Sequence, residues 1–229
     1  MVQVTPTKLF VRFRFKKQGS LQYISHLDLV RTMHKVIVRA KLPLWYTEGF
    51  NPKPKMIFAA PLSIGTESVC EFMDLRMNEY IDPAEAMARI NANMTNEMQI
   101  VEAYYPESKF TDLKWMSYRM IIRTLGLTDE LVDRCNMLLS APTIEVQKKN
   151  SDKTADIRPL IKSASAVKDG DAMIINAVLS ADPSAFLNPE YVIKALRDGC
   201  GILSSPNLTE EGYEIMRLNA YFGDMSEFR

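Results

Sequence analysis

His26 and His34 are the only histidines in the chain. They stand eight residues apart on one predicted helix, roughly 12 Å of axial rise, too far to ligate one ion without help. Cys70, Cys135 and Cys200 are spaced sixty-five residues apart, so they form no local metal knuckle. No HExxH, CxxC, GxGxxG, Walker or GxSxG pattern occurs, and nine glycines leave little for a phosphate cradle. No metal and no cofactor is expected, and a conventional hydrolase, kinase or dehydrogenase is disfavoured. His26 is the candidate for proton transfer, with Asp28 beside it. It falls in the first turn of its helix, where the positive end of the helix dipole favours a neutral imidazole able to accept a proton. A general acid or base acting on RNA fits that position. So does a structural histidine that bonds a neighbouring loop.

Three groups of residues suit binding better than catalysis. The connector 43–54 packs Trp45, Tyr46, Phe50, three prolines and Lys53 into twelve residues, with Lys55 just beyond. Prolines remove backbone entropy before a ligand arrives, and aromatics beside lysines suit base stacking with phosphate contacts. Gly49 and Asn51 are the residues there that tolerate positive φ. The alternative is a loop that plugs its own core with Trp45 and Phe50. The second group is the strand face Lys8, Phe10, Arg12, Arg14 and Lys16. Its opposite face is apolar and must cover helices, which leaves the basic face for solvent, another domain or a ligand. The third is the helix stripe Arg31, Lys35 and Arg39. Arg158, set between Ile157 and Pro159, is a further binding candidate or one half of an ion pair.

The 229 residues carry 28 basic and 28 acidic side chains, yet residues 1–60 hold eleven Lys/Arg against two acids, Asp28 and Glu48. Such a local positive field attracts a polyanion or an acidic protein surface. The apolar fraction, 47%, is that of a folded globular chain. No apolar run reaches the roughly 18 residues that span a bilayer, and the N-terminus lacks a secretory core. The odd cysteine count argues against a disulfide framework. These points lead to the expectation of a reduced, cytoplasmic protein without a membrane partner.

The elements that must position these residues follow from periodicity. Leu9, Val11, Phe13 and Phe15 alternate with cations, which predicts a strand over 8–16. Ser25 caps a helix with the apolar stripe Leu29, Val30, Met33, Ile37 and Ala40, bounded by Pro43. Strands follow at 55–60 and 69–77, with a weaker one at 44–47. Asp82-Pro83 opens a helix to about Met94, and Gln99–Tyr105 is a strand. The order is β-α-β-β-α-β, as in a ferredoxin-like domain. After residues 106–112 it recurs: a strand at 118–125, a helix capped by Thr128, a short strand at 143–148, a hairpin of 155–166 with 172–179 about Asp169-Gly170, a helix from Asn188-Pro189 to Gly199, and a strand at 213–222. The expected architecture is α+β, two tandem ferredoxin-like domains of residues 1–110 and 111–229 with antiparallel sheets.

Specific strings carry a family resemblance. Tyr23-Ile-Ser-His-Leu-Asp-Leu-Val-Arg31, Arg39-Ala-Lys-Leu-Pro43, Tyr46-Thr-Glu-Gly-Phe-Asn-Pro-Lys-Pro-Lys55 and Ala60-Pro-Leu-Ser-Ile-Gly65 stand in order, followed by Glu67-Ser68, Glu71 and Asp156-Ile-Arg-Pro159. The chain resembles the radical SAM-linked family of unknown function over nearly its full length. The resemblance implies a radical SAM enzyme as partner, encoded beside the chain or fused to it. The chain has no CxxxCxxC, so any cluster chemistry belongs to that partner. Lys53 stands where relatives often carry a histidine in the loop, which weakens a catalytic or metal-binding role for that loop. Asn188 stands where many relatives have a basic residue.

Together these readings predict an accessory RNA-binding or substrate-presenting protein that works with a radical SAM enzyme in modifying RNA or the translation apparatus, and is not catalytic by itself. Arg12, Arg14, Arg31, Lys35, Lys53 and Lys55 would meet phosphates. Trp45, Tyr46, Phe50 and Asn51 would stack or pack, and Ser25, His26 and Asp28 would organise the loop mouth. Two alternatives stand beside it: a metal-independent endoribonuclease using His26, and a module that only docks the radical SAM protein.

Overall fold

The structure is a computed structural model, and it describes residues 9–147, 153–207 and 209–229. Lys8, expected on the basic strand face, lies outside the described residues. The chain divides into two compact units, one running up to Phe110 together with Arg229, the other from Thr111 to Phe228. The fold is mixed α+β, with antiparallel strand pairing throughout the described ladders.

In the first unit the elements are β1 (Leu9–Lys17), α1 (His26–Arg39), β2 (Met56–Phe58), β3 (Thr66–Met77), α2 (Pro83–Asn91) and β4 (Met98–Tyr104). Within the unit the strands lie in the order β4-β1-β3-β2. The central position of β1 follows from its alternation: Val11, Phe13 and Phe15 are wholly buried against Met33 and Ile37 of α1 and Ile90 of α2. β3 is buried along most of its length on both faces, with Thr66, Ser68, Glu71 and Asp74 among its buried residues. The strand expected at 55–60 shrinks to Met56–Phe58, and 44–47 forms only two isolated bridges, Leu44 to Met77 and Tyr46 to Pro54. Prolines at 43, 52 and 54 remove the ladder donors that a longer strand would need.

Ser25 caps α1 in both directions. Its Oγ accepts from the Asp28 N–H at 3.1 Å and donates to Asp28 Oδ2 at 2.7 Å. Ser25→Ala should therefore cost about 1 kcal/mol in urea unfolding, while Ser25→Thr, which keeps both the acceptor and the donor to Asp28, should cost a few tenths at most.

The second unit contains β5 (Trp115–Arg123), α3 (Asp129–Leu139), β6 (Glu145–Gln147), β7 (Thr154–Asp156), β8 (Ile161–Asp169), β9 (Ala172–Ser180), α4 (Glu190–Cys200) and β10 (Gly212–Tyr221). Its strands lie in the order β10-β5-β9-β8, and β6 and β7 form a separate pair. Thr128 caps α3, and Gly170 turns the β8–β9 hairpin with φ of 60°. The hairpin arm expected to run from 155 to 166 is broken. Pro159 has no N–H to give, and the Arg158 N–H turns back to Asp156 Oδ1, so Arg158–Leu160 forms a 3-10 turn between β7 and β8. Among the described residues no helix is long and apolar enough to cross a membrane.

Candidate functional site

The basic face of β1 is not an open surface. Arg12 is wholly buried. Its Nε and Nη2 donate to the two carboxylate oxygens of Asp74 at 2.8 and 2.9 Å, and its Nη1 and Nη2 donate to the hydroxyl and carbonyl of Ser108. The guanidinium also lies 4.3 Å from the Phe110 ring centre. Residues 108–110, beyond β4, thus fold back over the face that alternation alone left bare. Burial raises the Asp74 carboxyl above its ordinary value, and Arg12 pulls it back. Burial likewise pushes the Tyr104 phenol, beside this pair, up to about 12. Arg14 is half-buried with Glu102 at 4.0 Å. Arg12 and Arg14, expected on phosphates, are committed to their own unit; this corrects the sequence expectation. Asp74 was the missed partner. Its signal was a lone carboxylate inside the apolar run Phe72-Met73-Asp74-Leu75, where an unpaired charge is not tolerated.

The connector does reach solvent. Trp45 and Lys55 bracket Arg76: the Trp45 N–H donates to the Arg76 carbonyl, the Arg76 N–H to the Lys55 carbonyl, and the Lys55 N–H to the Trp45 carbonyl. The Arg76 guanidinium sits 4.1 Å from the centre of the Trp45 ring. Beyond this base the chain forms a short hairpin. The Thr47 N–H donates to the Lys53 carbonyl at 2.8 Å, and the Lys53 N–H donates to Thr47 Oγ1 at 3.1 Å. Phe50 at the tip is fully exposed, and Tyr46, Asn51, Lys53 and Lys55 are exposed with it. Phe50 therefore plugs nothing, contrary to the alternative reading, and only Trp45 packs. Gly49 takes φ of 121°, whereas Asn51 does not adopt positive φ.

His26 is exposed at the first position of α1, its ring edge-on to Phe58 of β2 with centroids 5.5 Å apart. Phe58 lies three residues past Lys55, roughly 10 Å along a strand. The ring contact of His26 is thus with the end of β2. No described residue hydrogen-bonds the His26 ring. Asp28 is occupied by Ser25 and by Arg31 at 3.3 Å, and the Ser25 hydrogen bond holds its carboxyl below the ordinary range. A general base oriented by a carboxylate is thus not assembled. Lys35, nine residues after His26, points about 180° away around the helix. Arg31 and Lys35 are exposed on α1, but they do not share a face with His26. His34 is half-buried with no partner for Nε2 among the described residues. Arg158, in the other unit, donates to the Ile161 carbonyl at 2.7 Å rather than to an acid.

Among the described residues no group of three or more His, Cys, Asp or Glu could hold a metal ion. Cys70, Cys135 and Cys200 are free thiols, and burial pushes Cys135 up to about 12. What the first unit presents is a hydrogen-bonded hairpin with Tyr46, Phe50, Lys53 and Lys55 exposed.

No curated protein matches the chain. Among solved structures it is similar to a chain of "Crystal Structure of a Cbf5-Nop10-Gar1 Complex", with 9% identity, a TM-score of 0.51, and coverage of 92% of this chain and 48% of that one. A chain of "Crystal structure of the archaeal box H/ACA sRNP Nop10-Cbf5 complex" matches with 9% identity, a TM-score of 0.46, and coverage of 90% and 46%. The chain spans about half the length of these solved chains. The first likeness is one of fold. A family model, in contrast, matches residues 11–189, from the core of β1 through both units to the start of α4, and so the chain belongs to the family described as "Uncharacterized protein conserved in bacteria (DUF2344)".

Proposed function

We propose that the chain is an accessory RNA-binding module that presents substrate to a radical SAM enzyme, and that its contact element is the connector hairpin and not the β1 face. The observation that carries this is Phe50, fully exposed at the tip of a hairpin that is fixed by five hydrogen bonds and stiffened by prolines. An aromatic held out in water by an ordered loop has no stabilising role in its own unit; flanked by Tyr46, Lys53 and Lys55 it matches the stacking-plus-phosphate chemistry of single-stranded nucleic acid. The radical SAM partner rests on the sequence strings around Ser25–Asp28 and Gly49–Lys55. In the finer reading of the fold, each unit is a divergent ferredoxin-like domain, the second with β6 and β7 inserted. The solved neighbour is described as a complex of three named components, a setting in keeping with an accessory role.

The test is RNA affinity measured against salt. Each phosphate contact to a single strand adds about 0.7 to the slope of log affinity against log salt. Lys53→Ala with Lys55→Ala should flatten the slope by roughly 1.4. Arg12→Met paired with Asp74→Leu should leave it unchanged. A slope indifferent to the two lysines retires the hairpin as an RNA contact. Tight, salt-insensitive binding of the radical SAM protein alone would favour the docking-only reading.

A further inference from the structure

Among the described residues, the strands of the second unit's sheet alternate between buried and more exposed positions. Met116, Tyr118 and Met120 of β5 are buried on the helix side, and Asn136 of α3 clamps the Ala166 backbone of β8 there. The intervening residues face the other way, in rows set by strand register. Ser117, Val178 and Ser163 form one row across β5, β9 and β8; Arg119, Asn176 and Ser165 form the next. Ser117, Val178, Ser163, Asn176 and Ser165 line a cup of about 220 Å3, walled by Leu218 at the irregularity in β10. At one end Trp115 lies under Lys162, 5.7 Å from ring centre to Nζ, and the Tyr221 hydroxyl comes within 3.4 Å of Ser117 Oγ. At the other end stands Arg119, exposed.

Two features set this cup apart from an ordinary solvated sheet face. First, the side chains of Ser163, Ser165, Asn176 and Arg119 make no hydrogen bond to any described residue. Two serine hydroxyls and an amide, each able to donate and accept, are therefore gathered without a partner among the described residues, beside Ser117, whose hydroxyl meets that of Tyr221. Second, no carboxylate of the described residues lines the cup, while cations stand at both ends. We propose that the cup binds one nucleobase of a single-stranded RNA. Serine hydroxyls and the Asn176 amide read the base edge, Trp115 and Tyr221 offer ring faces for stacking, and Lys162 and Arg119 take the flanking phosphates. The volume is below the ~300–1,000 Å3 of sites for drug-sized ligands, which suits one planar ring system. A duplex is excluded on chemical grounds, because its base edges are paired and its rings stacked away from a flat protein face. This inference rests on the RNA-binding reading above but concerns a separate surface in the other unit.

The test uses the full chain carrying Trp45→Phe, which leaves Trp115 as its one tryptophan. A mixed-sequence single-stranded RNA octamer should quench Trp115 emission to saturation, and the same sequence as a duplex should not. Asn176→Ala and Arg119→Ala should each weaken the octamer about tenfold with unchanged far-UV dichroism, and Arg119→Ala should also lower the salt slope by about 0.7. Octamer binding that leaves Trp115 unquenched, ignores both substitutions and still depends on Lys53 overturns the cup while sparing the hairpin. Absence of any RNA binding overturns both. Binding of a hexaglutamate peptide more tightly than the octamer, lost in Arg119→Ala, overturns the nucleobase assignment in favour of an acidic protein segment.

Discussion

Asp74→Ala should lower the unfolding free energy of the first unit by about 3–5 kcal/mol, the cost of leaving a buried cation without its counterion. Arg12 has no route to water, and its two strongest contacts are the paired bonds to the Asp74 carboxylate. The Ser108 hydroxyl and carbonyl and the Phe110 ring are among the contacts that remain, and none of these three carries a full negative charge. Asp74→Asn should fall between Ala and wild type, since an amide can accept one of the two bonds. Arg12→Met combined with Asp74→Leu should return to within about 1 kcal/mol of wild type, because apolar replacement of a whole buried pair removes two desolvation penalties along with the attraction. Urea unfolding of the three variants, followed by far-UV dichroism, checks the pattern. A loss below about 1 kcal/mol for Asp74→Ala would mean that the guanidinium finds water in the folded state.

The same pair shows what a single sequence conveys and what it withholds. Alternation in Leu9–Lys17 announced β1 and its apolar face, and the caps at Ser25, Asp82 and Thr128 placed three helix starts, because these signals are local. The fate of the cationic face was not local. It depended on Asp74, sixty-two residues away, and on Ser108, ninety-six away, neither of which leaves a periodic trace around Arg12. The connector was half legible. Its prolines and aromatics marked an unusual loop, but whether Trp45 or Phe50 turned inward depended on where Arg76 lay. The Arg158 turn was misread as strand because β-branched neighbours outweighed one proline, although the missing N–H decides the matter. The cup on the second sheet left no signal at all. Ser117, Ser163, Ser165 and Asn176 are unremarkable in sequence and become a site only through the register of three strands.

Phe50→Ala should weaken single-stranded RNA binding by about 1–3 kcal/mol, the usual loss on removing one stacking ring, with no change in salt slope. Stability should stay within about 0.5 kcal/mol of wild type, since a fully exposed ring buries no area on folding. That separation is what makes the experiment informative. A residue that supported the fold would move the urea midpoint, and a residue that steered by charge would move the slope; Phe50 should move neither. Phe50→Trp should hold or improve affinity, because it keeps a flat ring at the tip, whereas Phe50→Leu, similar in hydrophobicity but without a π face, should behave like alanine. If leucine binds as well as phenylalanine, the tip reads apolar surface and not bases. The hairpin would then be docking into a pocket on a protein, with Lys53 and Lys55 meeting acids at its rim. Tyr46 supplies the internal control: it is exposed at the hairpin base and bridged to Pro54, so Tyr46→Phe should change affinity only slightly if its ring, and not its hydroxyl, makes the contact.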